Sequence, residues 1–192
     1  MSSGPGVPAD LLERTDELAA IDAAVTAGEH RPGRLLTIVA PAGVGKTRLM
    51  RAAQARAHDR GLRVLSACGG ELEREFGFGV ACQLFEAVVD GSDTLLNGRA
   101  RLAAPVLGLE DRGAAGHGSE DGIYPALQGL YWLTVSLAER QPLALFVDDV
   151  HLADSASVRF LAYLTRRLDD LALLIVVAAR LWTAAGRCSP SV

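Results

Sequence analysis

The chain has 192 residues, is 49% hydrophobic and carries a formal net charge of −4, which suits one domain with a packed core and argues against disorder. The acidic balance leaves no basic footprint for nucleic acid or an anionic membrane. The longest apolar run, Leu171 to Ala179, is far too short to span a bilayer, and the start Met1-Ser2-Ser3-Gly4-Pro5-Gly6 lacks the charged and apolar regions of a signal peptide.

Residues 1–10 are rich in Gly, Pro and Ser and are expected to be flexible. Leu11 to Leu18 opens a helical pattern in which Leu18, Ile21 and Val25 share one face, closed by Gly28 and the Arg31-Pro32-Gly33 turn. A first strand is expected at Leu35–Val39, followed by a glycine-rich turn and a helix to about His58. Gly61 breaks that helix, and Leu62–Cys68 reads as a second strand stopped by Gly69-Gly70. Glu71 to Phe76 is charged and solvent-like. Val80, Leu84, Phe85 and Val88 then form a helical stripe, and another helix is expected over Leu95 to Leu107. Glu110–Asp121, rich in Gly and charge, reads as a loop. Asp121 is expected to cap a long helix with Ile123, Leu127, Leu130, Thr134 and Leu137 along one face. Leu143–Val147 is a continuous apolar run, as a strand buried on both faces requires, and it ends in Asp148-Asp149. Asp154 is expected to cap a helix whose Val158, Leu161, Leu164 and Leu168 face inward. Leu173–Ala179 is the last strand, ending at Arg180. Strands alternating with helices mean a parallel sheet in an α/β layer fold.

The chemistry concentrates in Ala40-Pro41-Ala42-Gly43-Val44-Gly45-Lys46-Thr47, between the first strand and the helix that begins Arg48-Leu49-Met50. That context is the phosphate-binding P-loop. Gly43 and Gly45 let the backbone fold tightly and turn its N–H groups inward, where they and the positive helix end attract a polyphosphate. Lys46 puts a compact charge on the outer phosphates, and the Thr47 hydroxyl can ligate Mg²⁺. Lys46 is also the only lysine of the chain, every other cationic side chain of this kind being arginine; a phosphate cradle needs a slim ammonium rather than a planar guanidinium. Ala40 stands where the usual motif has its first glycine, so the turn must keep a backbone angle that alanine allows.

Ligands of open α/β sheets bind at the carboxyl ends of the strands, where the P-loop, Asp148-Asp149 and Arg180 all fall. Asp148 is expected to hold magnesium, directly or through water, and Asp149 to orient or deprotonate an attacking water. Arg180 is placed to sense or stabilise γ-phosphate charge. Turn chemistry alone also favours aspartate after a strand, and a solvated arginine at a strand end is common; the upstream P-loop tips the reading towards a site. Cys68, Cys82 and Cys188 are odd in number and lack metal spacing, which suits free thiols in a reducing cytoplasm.

With these residues in hand, the chain resembles the N-terminal nucleotide-binding region of the large ATP-binding regulators of the LuxR family, a STAND-type branch of the AAA (Orc1-like) P-loop ATPases. The similar stretches are Leu11–Leu18, Ala40–Met50, Gly70–Gly79, Leu127–Leu133, Val147–Asp154 and Ser157–Leu164. The resemblance implies a three-layer P-loop NTPase domain over 11–181, with a parallel sheet in the order 1-4-3-2, the fifth strand missing, and a disordered tail over 182–192. It implies ATP and Mg²⁺ as ligands, ADP as product, and a slow hydrolysis that serves as a signalling switch. It places Arg14 near the adenine end, Pro41 to Arg48 around the phosphates, Thr47 and Asp148 on the metal, and Asp149 and Arg180 at the reacting phosphate. Thr15 and Leu152 depart from the family's usual acid and tryptophan. Family members continue with a fifth strand, a winged-helix region, a helical repeat sensor and a helix-turn-helix. No such pattern follows Leu181, so the expectation is a truncated domain without direct DNA binding, exposed at its first strand and prone to self-association. A small-molecule P-loop kinase and a residual, non-catalytic nucleotide-binding or interaction fragment stand as alternatives.

Overall fold

A computed structural model describes residues 14–41, 43–71, 74, 77–89, 95–109 and 120–180. Helix α1 (Thr15–Gly28) leads to strand β1 (Arg34–Ala40), and helix α2 (Lys46–Asp59) to strand β2 (Arg63–Cys68). Helix α3 (Gly79–Val89), a 3-10 segment (Gly98–Ala103), helix α4 (Glu120–Arg140), strand β3 (Leu143–Asp148), helix α5 (Ser155–Thr165) and strand β4 (Leu173–Arg180) follow. The four strands form one parallel sheet, as the alternation of strands and helices implied, in the order β1-β4-β3-β2 that the family resemblance implied. Among the described residues no helix is long and apolar enough to cross a membrane.

The central strands show why the sheet is buried on both sides. Leu143, Leu145 and Val147 of β3, with Leu173 and Ile175 of β4, pack under α3, α4 and α5. The alternate residues Ala144, Phe146, Leu174, Val176 and Ala178 pack under α1 and α2, against Leu18, Ile21, Val25, Leu49, Met50 and Ala53. Successive side chains of a strand point to opposite faces, so an unbroken apolar run is what two covering layers demand. Each fully buried Leu, Ile or Phe contributes about 1.5–3 kcal/mol, which makes β3 and β4 the anchor of the fold. Strand β1 is different. Leu36 and Ile38 pack towards α1 and α2, whereas Leu35 and Val39 on the other face are each 48% exposed. Among the described residues β1 pairs with β4 alone, so it is an edge strand.

Four local expectations fail. The stretch Leu95–Leu107 holds no α-helix; its helical part is the 3-10 segment Gly98–Ala103 followed by turns. Gly98 takes a φ of 59°, outside the right-handed α-helical region, and Pro105 lacks the amide hydrogen that a continuing α-helix would use. Helix α4 already begins at Glu120, so Asp121 lies in its first turn instead of capping it. On α5, Val158 is 42% exposed and Ser157, Phe160, Leu161 and Leu164 are buried: the helix turns a hydroxyl inward because Ser157 has a polar partner there, described below. Leu168 lies beyond α5, on a separate 3-10 turn, Leu168–Asp170. Of the loop expected over Glu110–Asp121, residues 110–119 lie outside the described residues and the last two belong to α4; the tails 1–10 and 182–192 also lie outside them.

Candidate functional site

β1 delivers the chain to the P-loop at the carboxyl edge of the sheet. Ala40 is the last residue of β1 and keeps an ordinary strand backbone, so alanine replaces the usual glycine there without strain. The two glycines are where the special geometry falls: Gly43 has φ 80° and Gly45 has φ 78°, both left-handed, and Gly45 caps α2. A side chain at either position would oppose that turn. Pro41, Gly43 and Val44 are exposed on the loop, and Ala42 lies outside the described residues. The Arg14 guanidinium, just ahead of α1, donates to the Val44 carbonyl. That contact ties the N-terminal helix to the loop and puts a cation beside it. Lys46 opens α2 and is only 8% exposed, with no carboxylate partner among the described residues. A buried ammonium at the start of a helix forms a ready anion site. Arg48 points outward from the same turn.

The strand order brings β3 to the same edge. Asp148, its last residue, accepts from the Thr47 hydroxyl at Oδ2 over 3.0 Å, joining residues 101 apart in sequence. Its Oδ1 accepts the Asp149 amide at 2.8 Å. A hydroxyl and a carboxylate oxygen held this close are the hard oxygen donors that Mg²⁺ prefers, with room left for water and phosphate oxygens; the residues fit the metal. Asp149 sits in a left-handed conformation, φ 44° and ψ 45°, sparsely populated outside glycine though best tolerated by Asn and Asp. Arg180 at the end of β4 donates from Nε to Asp149 Oδ1 at 3.3 Å, and His151 Nδ1 stands 3.8 Å from the same oxygen. Every sequence-nominated residue that is described therefore lies along one sheet edge, with Arg14 joined through Val44.

Other members of this edge escaped the sequence reading. Asp154, read only as a helix cap, does cap α5 by accepting the Ser157 amide at 2.8 Å. It also accepts the amides of Phe78 at 2.8 Å and Val80 at 3.3 Å, at the start of α3 on the same face of the sheet. Ser157 adds a bond from the Ala81 amide at 3.0 Å. Two buried side chains thus satisfy the orphan amides of two helices at once. Gly69, read as a strand breaker, is a point of close approach: a Cβ there would lie 2.4 Å from the Asp149 carbonyl oxygen. Its amide donates to the Asp148 carbonyl at 2.9 Å. The segment after β2 is consequently clamped onto the Asp148-Asp149 turn. The Asp-x-x-Ser spacing signals a cap, but no local signal announces its distant amides.

A family profile described as an AAA ATPase domain matches residues 10–177. No curated protein matches the chain. Among matching solved structures is that of PCH-2 from C. elegans, 14% identical with a TM-score of 0.42, over 90% of this chain and 38% of that one. The chain thus spans well under half the length of that protein.

Proposed function

The chain belongs to the AAA ATPase domain family, and on that premise we propose that it binds ATP–Mg²⁺ and uses it as a slowly hydrolysed switch. The observation that carries the reading is the Thr47–Asp148 contact, which joins the P-loop to the acid at the end of β3 beside an unpaired, sequestered Lys46. Lys46 and the amides at the start of α2 hold the phosphates, and the Thr47 and Asp148 oxygens hold the metal. When bound, the nucleotide supplies the phosphoanhydride bond and the metal neutralises charge on it. Asp149 then orients a water and takes its proton at a carboxylate oxygen. Arg180, which neutralises Asp149 in the present arrangement, has a stronger anion to turn to once a γ-phosphate arrives, and its departure leaves the carboxylate available. The adjacent Asp148-Asp149 pair favours water as nucleophile over the bound hydroxyl of a kinase substrate.

We further propose that this module serves a LuxR-type transcriptional regulator, which the resemblance over Ala40–Met50 and Val147–Asp154 supports. In that role the chain binds no promoter DNA itself. Its open β1 edge, with Leu35 and Val39 exposed, supports self-association. Isothermal titration with ATP and ADP, each with and without Mg²⁺, tests the central claim. Tighter binding with Mg²⁺, lost in Lys46→Ala, is the expected outcome. Magnesium-independent binding that survives the substitution refutes it.

A further inference from the structure

The outer face of α5, in the layer opposite α1 and α2, carries a second chemistry. Arg159, Ala162, Tyr163, Arg166 and Arg167 line an open concavity of about 570 Å³. Arg159, Tyr163 and Arg166 recur at helical spacing, so they share one side of the helix. The floor is rigid. The Arg167 guanidinium lies 3.6 Å from the Tyr163 ring centre and donates to the Tyr163 carbonyl at 3.1 Å. Tyr163 meets Tyr131 edge-on at 5.8 Å, Tyr131 meets Trp132 at 5.4 Å, and Arg99 covers Trp132 at 5.1 Å.

The arginines themselves are unspent. Arg56, Arg60 and Arg180 each pair with a carboxylate, Asp22, Glu29 and Asp149 respectively. Arg159 and Arg166 are exposed and have no carboxylate partner among the described residues, although Asp169 and Asp170 follow on the next 3-10 turn. A cation at a helix C-terminus complements the helix dipole, which accounts for Arg166 and Arg167. It does not account for Arg159, near the middle of α5. Three guanidinium groups thus line one hollow in a chain of net charge −4.

We infer that this face docks an acidic peptide segment of a partner protein, its carboxylates held by the Arg159 and Arg166 forks over the Tyr163 ring. Guanidinium groups match carboxylates two bonds at a time. Nucleic acid fits less well: the Tyr163 and Trp132 faces that a base would stack on are covered by Arg167 and Arg99.

The test is fluorescence anisotropy of the full chain with a labelled peptide of alternating Glu and Asp. Saturable binding is expected, with the double variant Arg159→Ala/Arg166→Ala weaker on the order of tenfold and the double lysine variant in between. The charge-matched variant Arg34→Ala/Arg51→Ala, with exposed arginines elsewhere, is expected to bind as the parent does. Thermal melting checks that each variant is folded. Equal weakening by both alanine pairs reduces the effect to net charge and overturns the site. Absence of binding overturns it too, as does tighter, Arg159-dependent binding of a labelled duplex or single strand. Dimerisation in sedimentation that Arg159→Ala/Arg166→Ala abolishes would make a second copy the occupant and likewise overturn the proposal.

Discussion

Replacing Asp154 with alanine is expected to damage this protein more than any substitution among the phosphate-site acids. The carboxylate is 2% exposed and accepts three amides, those of Phe78, Ser157 and Val80. Two of these bonds are 2.8 Å long and the third is 3.3 Å, so two carry most of the energy. A hydrogen bond to a charged acceptor is worth roughly 1.5–3 kcal/mol net, which puts the loss at about 3–6 kcal/mol. Against a total stability of roughly 5–15 kcal/mol, that is a large share, equivalent to a fall in melting temperature on the order of 10 °C for a domain this long. Asp154→Asn keeps one carbonyl oxygen for the two short bonds but presents an NH₂ group to the Val80 amide, so it should fall between the two. Urea unfolding followed by circular dichroism measures the difference. Asp149→Asn serves as comparison, since that partly exposed side chain makes only one ion pair with an arginine and should leave stability within about 1 kcal/mol. If Asp154→Ala unfolds within about 0.5 kcal/mol of the parent, the claim that this carboxylate joins α3 to α5 is wrong.

Lys46→Ala should weaken ATP–Mg²⁺ binding by about 10- to 100-fold in calorimetry, the value of one charge-assisted phosphate contact; equal affinities would remove the P-loop assignment. Asp149→Asn should retain ATP binding and lower any turnover by about 10²- to 10⁴-fold in a phosphate-release assay, and unchanged hydrolysis would show that another group handles the water. Gly69→Ala should destabilise the fold by about 1–3 kcal/mol, because its methyl group meets the Asp149 carbonyl oxygen at 2.4 Å; a neutral effect in thermal melts would mean that the turn after β3 yields freely. Leu35→Lys with Val39→Lys should shift size-exclusion profiles towards monomer, since charges on an exposed edge strand oppose pairing with another chain; a parent already monomeric at high concentration would contradict the self-association proposal.

The P-loop and the parallel, two-sided sheet were legible in the amino-acid sequence because both rest on local physics, whereas the order of its strands was implied only by the family resemblance. Left-handed turns require Gly43 and Gly45, a helix start attracts anions, and the uninterrupted apolar runs of β3 and β4 fit only the centre of a covered sheet. The acids were legible for the same reason, lying where such strands end. The 3-10 segment at Gly98–Ala103 was not, since its apolar spacing suits an α-helix, whereas the left-handed backbone of Gly98 interrupts one at its start. Nor was the inward face of α5, where buried Ser157 displaces Val158 to the surface; periodicity counts apolar residues and cannot see that a hydroxyl has the Ala81 amide to satisfy. Tertiary structure alone brought Thr47 onto Asp148, Arg180 onto Asp149, and the Asp154 carboxylate onto the amides of α3. Those partners lie 101, 31 and 74 to 76 residues apart. Local propensity is set by neighbours along the chain, whereas a hydrogen bond between distant residues exists only once the parallel sheet has placed both strand ends at the same edge.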